Sequence, residues 1–183
     1  MSRSLAALLA LTGILAFAAP ADARSFVIRA TGSTTGLGEV QAIGDFKPAT
    51  NPRLGAAVRA FGPTTSRRGG GEICRVRWAN LGVFGVFQNF GGRGSSCQGR
   101  IGLAQKVVVS GDRPWRTFRG LRLGDSATRL RQLHPAARRT PRGFRLVEGV
   151  FPFGSPMRYA VLGARMANGR VSAFTIVVGA AGD

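Results

Sequence analysis

The stretch "ICRVRW", residues 73 to 78, alternates without a break. Cys74, Val76 and Trp78 fall on one side of an extended chain, with Arg75 and Arg77 on the other, because successive side chains of a strand point to opposite faces. A tryptophan on the same face as a cysteine and a valine calls for a core behind the strand, and guanidinium groups call for water in front of it. That combination specifies a half-buried strand of an antiparallel sheet. The only other cysteine, Cys97, lies beyond a second apolar run, "VFGVFQNF", and a Gly-rich loop, "GGRGSS". In an exported chain two cysteines most often pair. A free nucleophilic thiol, a metal site and a bridge between chains are the alternatives, but there is no neighbouring histidine and no second cysteine pair to complete a zinc site. Closing this loop stabilises a fold by about 3 kcal/mol through the lost freedom of the unfolded chain.

Export is expected from the other end of the sequence. Arg3 precedes an apolar run from Leu5 to Ala19, and Ala21 and Ala23 place small residues where a signal peptidase reads them. Residues 1–23 are therefore assigned as a signal peptide cleaved before Arg24. The run is shorter than the roughly 20 apolar residues of a spanning helix. The mature part, 24–183, is long enough for one α+β domain with a sizeable core.

Charge narrows the partners. The chain has 26 Lys and Arg against 8 Asp and Glu, a formal net charge of +18, and only Lys47 and Lys106 are lysines. A GC-rich genome accounts for part of the arginine bias. Such an excess still attracts polyanions without specifying which.

Along the chain, "SFVIRA" and "EVQAIGDF" read as short strands. "NPRLGAAVRAFGP" reads as a helix, with Asn51 as cap, Pro52 in the first turn and Leu54, Val58 and Phe61 at helical spacing. "TTSRRGGGE" reads as a loop, "ANLG" as a turn, and "IGLAQKVVVS" as a further strand. "GLRLGDSATRLRQLHP" carries a cap at Asp125 or Ser126, Leu130 and Leu133 on one helical face, and Pro135 as a stop. Strands are expected at "GFRLVEG", "MRYAVLGARMA" and "RVSAFTIVVG", with Asn168 and Gly169 as a two-residue hairpin turn. Helix then strands, twice, predicts antiparallel sheet with helices packed on one face, and divides the chain into candidate repeats 44–110 and 114–180.

The elements "CRVRW", "FQNFGG", "PWRTFRGLRLGDS" and "ARMANGRVSAF" resemble a group of uncharacterised secreted actinobacterial proteins over most of the mature chain. More remotely, the doubled helix-then-sheet plan is similar to the beta-lactamase inhibitory protein family. That resemblance implies a tandem repeat and protein-protein inhibition, although the family has a disulfide in each repeat and this chain has no cysteine in its second half.

Catalytic machinery is sparse. His134, the only histidine, is placed at a helix C-terminus, where the dipole favours its charged form, and no positioned nucleophile accompanies it. Outside the signal and the last residue the acids are Glu39, Asp45, Glu72, Asp112, Asp125 and Glu148, scattered over turns and strand ends rather than paired as a carboxylate hydrolase requires. No metal-ligand spacing occurs, no cofactor motif is present, and the glycine runs read as turns between strands. The expectation is a secreted or envelope-associated, non-enzymatic binding protein. Its candidate contacts are Arg75, Arg77 and Arg158, with Trp115 and Tyr159 as aromatic anchors, toward an anionic envelope polymer or an acidic protein rather than intracellular nucleic acid. Inhibition of an exported enzyme and carboxylate-dependent hydrolysis are the alternatives.

Overall fold

The computed structural model describes residues 25–151 and 157–179. The expected signal segment, 1–23, and the end of the expected second unit at 180 lie outside the described residues. In chain order the elements are β1 (Val27–Thr31), β2 (Glu39–Ile43), α1 (Leu54–Phe61), β3 (Ser66–Gly70), β4 (Ile73–Trp78), β5 (Val83–Gln88) and β6 (Leu103–Ser110), then β7 (Arg116–Thr117), α2 (Ala127–Leu133), β8 (Arg138–Thr140), β9 (Gly143–Phe151), β10 (Met157–Ala167) and β11 (Arg170–Val177). Most of this is antiparallel sheet, with two short helices. The main sheet runs β3-β4-β5-β6-β11-β10-β9-β8, and a small sheet runs β2-β1-β7. Two meanders thus meet at the β6–β11 pair, where Val109 faces Phe174 and Val107 faces Ile176.

The alternation of β4 is realised: Cys74, Val76 and Trp78 are fully buried, and Arg75 and Arg77 are exposed. Across the ladder the same face continues through Val83 and Phe87 of β5 and Val107 and Val109 of β6, all buried. Phe61, at the end of α1, meets the Trp78 ring edge-on at 5.1 Å. The indole N–H of Trp78 donates to the Gly62 carbonyl at 2.9 Å, so its polar edge is satisfied inside the core. Truncating a residue so enclosed costs about 3–5 kcal/mol.

The disulfide joins Cys74 to Cys97, with Cα atoms 5.0 Å apart. Its loop is shaped by Asn89, whose amide donates to the carbonyls of Gly92 and Gly94 at 2.7 and 2.9 Å and whose carbonyl accepts from the Gly92 N–H at 3.0 Å. The segment just after Cys97 serves α1. The N–H groups of Leu54 and Gly55 donate to the carbonyls of Gly102 and Gly99, each at 2.8 Å, and the Arg53 guanidinium donates to the Arg100 carbonyl. Helix N-termini expose N–H groups that need acceptors, and here another backbone supplies them. The expected Asn51 cap is corrected on this point: the helix begins after Arg53 without a side-chain cap, and Asn51 accepts from the Arg53 N–H at 3.2 Å in the turn before it.

In the second half Ser126 caps α2, accepting from the Arg129 N–H at 3.2 Å, while Asp125 accepts from the Arg122 N–H at 2.8 Å in the preceding turn. Leu130 is buried, and the Arg131 guanidinium lies 5.7 Å from the Phe144 ring centre on β9. The hairpin at Asn168 and Gly169 has positive φ at both residues, 49° and 73°, as a two-residue turn of matching twist requires. The reading of "TTSRRGGGE" as a loop is corrected. Ser66–Gly70 is an edge strand paired with β4 from Ser66↔Arg77 to Gly70↔Ile73. Its counterpart at the far edge is β8, paired with β9.

Candidate binding surface

The register of the main sheet sets one row of residues across all eight strands: Ser66, Arg77, Phe84, Val108, Thr175, Gly163, Arg145 and Arg138. Directly opposed residues share a face, so this row lies on the side away from Trp78. Arg77 and Arg138 are exposed, and Phe84, Val108, Thr175 and Arg145 are half-buried. A parallel row holds Arg68, Arg75, Val86, Lys106 and Val177. The middle of the surface thus carries Phe84, Val86, Val108 and Val177 with Lys106 and Thr175 among them, and arginines stand toward the two sides. Arg77 and Arg145 stand five strand spacings apart, about 24 Å at the usual distance between strands.

The structure brings Arg75 and Arg77 together on β4, where Arg68 joins them from the neighbouring strand. It does not bring Arg158 and Tyr159 to the same place: they lie on β10, four strand spacings or about 19 Å away. Tyr159 is half-buried and its hydroxyl donates to the Gly38 carbonyl at 3.4 Å. Trp115 is 1% exposed, donates its indole N–H to the Leu81 carbonyl at 2.8 Å and stacks edge-on with Phe26 at 5.1 Å. It is a core residue and offers no surface to a partner, which corrects its expected role as an anchor.

Arg158 belongs to a different constellation. Glu148 on β9 meets three guanidinium groups: Arg138 at 3.5 Å, Arg145 at 3.4 Å and Arg158 at 3.9 Å. Only 15% of the Glu148 side chain is exposed, against 64%, 41% and 47% for the arginines, so the carboxylate sits beneath the cationic groups. Arg138, Glu148 and Arg158 line an open groove of about 490 Å³ with Gly32, Ser33 and Thr34. Neither composition nor periodicity indicated this cluster; the only sequence signal was the arginine content of β8 to β10.

His134 ends α2, as expected, but buried. Its Nε2 lies 3.0 Å from the Thr117 hydroxyl and its ring meets Phe118 edge-on. Burial, with a smaller contribution from the positive charge of Arg119, lowers its pKa from 6.5 to about 4, so it is neutral at neutral pH. The expectation that the helix dipole favours its charged form is corrected: desolvation outweighs the dipole. Among the described residues no group of three His, Cys, Asp or Glu gathers as metal ligands, and no helix is long and apolar enough to cross a membrane.

No protein-family model, curated protein or solved structure matches the chain.

Proposed function

We propose that the chain is an exported, non-enzymatic binding protein that presents its arginine-bearing sheet face to an acidic partner, an anionic envelope polymer being the first candidate. The observation that carries this reading is the eight-strand row with arginines toward both ends and Phe84 and Val108 between them. Arginine forks match carboxylates and phosphates in geometry, and a half-buried apolar strip beside them gives a partner something to desolvate. In this reading both helices cover the opposite face, with Phe61 against Trp78 and Arg131 over Phe144, and leave the arginine face open.

The test is retention of the exported chain on immobilised polyglutamate as salt rises. Retention at low salt that weakens with screening, and that falls in the double variant Arg75→Gln and Arg77→Gln, is the expected result. No retention at low salt, or retention indifferent to salt, overturns the electrostatic mechanism.

A second reading, inhibition of an exported enzyme through the same face, draws support from the order of elements. Each helix is followed by four strands of the main sheet, α1 by β3 to β6 and α2 by β8 to β11, with β7 before α2. That order also favours two tandem units. This reading expects a stoichiometric complex recovered from culture supernatant with little sensitivity to salt.

A further inference from the structure

The groove beside Glu148 has an excess of positive charge that the fold itself does not use. Three guanidinium groups converge on one carboxylate, which leaves a local excess of two positive charges. Each guanidinium carries several N–H donors in a fixed fork, and separations of 3.4 to 3.9 Å describe loose sharing of Glu148 rather than bidentate pairing. Donors aimed at this point therefore remain to be met.

The opposite wall supplies hydroxyl groups on a well-placed backbone. The Ser33 N–H donates to the Glu148 carbonyl at 3.0 Å. The Ser33 hydroxyl accepts from the N–H groups of Gly36 and Thr35 at 2.8 and 3.3 Å, and its own proton stays available to donate. Gly32 is required for this approach, because a Cβ there would lie 2.7 Å from the Glu148 carbonyl oxygen. At about 490 Å³ the space suits a small ligand rather than a single ion.

We propose that this groove is a binding site for one oxyanion group, a carboxylate or phosphate carried on a small polar molecule such as a sugar acid or sugar phosphate. Arg138 and Arg158 hold the anion, Ser33 and Thr34 donate hydroxyl hydrogen bonds to it or to its carrier, and Glu148 keeps the guanidiniums gathered while the site is empty. The site goes beyond the sheet-face reading and does not depend on that face finding a macromolecular partner.

The experiment is calorimetric titration of the exported chain at low ionic strength with inorganic phosphate and, separately, with glucuronate. Saturable binding at one site is expected with at least one of them, and the tighter of the two assigns the ligand to phosphate esters or to sugar acids. Arg138→Gln and Arg158→Gln each weaken that binding about tenfold, the usual loss of a charge-assisted hydrogen bond. Arg59→Gln, which removes the same charge from the exposed side of α1, leaves it unchanged. Glu148→Gln tightens binding by removing the competing carboxylate. Should that variant fail to fold, the two exposed arginines still carry the test. Absence of saturable binding to both anions, or a loss in Arg59→Gln equal to that in Arg138→Gln, overturns the proposal. Arg138 also ends the sheet-face row, so the two readings are separated by Arg158→Gln, which lies outside that row, and by the loss of polyglutamate retention in Arg75→Gln with Arg77→Gln, which lie outside the groove.

Discussion

Gly55 of α1 and Gly99, two residues beyond Cys97, are in backbone contact: the Gly55 N–H donates to the Gly99 carbonyl at 2.8 Å, and a Cβ built on Gly55 would lie 2.9 Å from that same oxygen. The helix is thus anchored by a loop whose other end is tied through sulfur to the core strand β4.

Alanine at position 55 therefore tests the anchor. In an exposed helix interior, Gly→Ala stabilises by about 1 kcal/mol. Here the added methyl must push the loop away, and the expected result is a loss of about 1–3 kcal/mol, read as a lower denaturation midpoint in urea. A gain in stability would mean that the contact is looser than described.

Removing the bridge should be costlier. Cys74→Ser with Cys97→Ser, or reduction of the native chain, loses about 3 kcal/mol from loop closure alone. Gly99 and Gly102, the acceptors for α1, follow directly on the freed Cys97, so the helical signal in circular dichroism should fall at lower denaturant than the sheet signal. Thiol titration of the native chain should find no free thiol.

His134 makes stability depend on pH with a definite sign. Its folded pKa, about 4, lies below the unfolded value of 6.5. Above pH 6.5 the group is neutral in both states and contributes no penalty. Between 6.5 and about 4 the unfolded chain takes up a proton that the folded chain refuses, and stability falls by about 1.4 kcal/mol per pH unit, to a total of about 3 kcal/mol. Denaturation midpoints measured across this window should drop more for the native chain than for His134→Gln, which has no group titrating there. Parallel curves would show that the imidazole is already solvated.

Charge-neutral variants of the sheet face should separate binding from folding. Arg75 and Arg77 are exposed, and neither forms an ion pair among the described residues. Arg75→Gln and Arg77→Gln should each change stability by no more than about 0.5 kcal/mol while reducing the salt dependence of retention on polyglutamate. Val76→Asp, one residue away on the buried face, should prevent folding, since it places an unpaired carboxylate in the core.

The segments legible in the sequence were those whose side chains declare their surroundings. Cys74 to Trp78 alternates because one face is core, Asn168 and Gly169 supply the positive φ that a tight hairpin needs, and Ser126 has a hydroxyl that accepts from an N–H of the first helical turn. The edge strands were not legible for the converse reason. Ser66–Gly70 and Arg138–Thr140 bury almost nothing, and they are strands because β4 and β9 offer them a backbone to pair with. Trp115 sits in a turn-rich stretch without periodicity, so its type suggested an interface while its contacts with Phe26 and Leu81 place it inside. Arg75 and Arg77 were readable as outward-facing because they are two residues apart on one strand. The gathering of Arg138, Arg145 and Arg158 on Glu148 depends on register between three strands, including bulges in the β9–β10 pair, and such register cannot be seen in the spacing of residues.

Both rims of the main sheet end in an arginine dipeptide, Arg67 with Arg68 on β3 and Arg138 with Arg139 on β8. A bare rim invites another copy to extend the ladder. In this molecule, rim-to-rim stacking would set one guanidinium pair against another whichever two rims met. Growth into ribbons by edge-to-edge pairing is thereby discouraged.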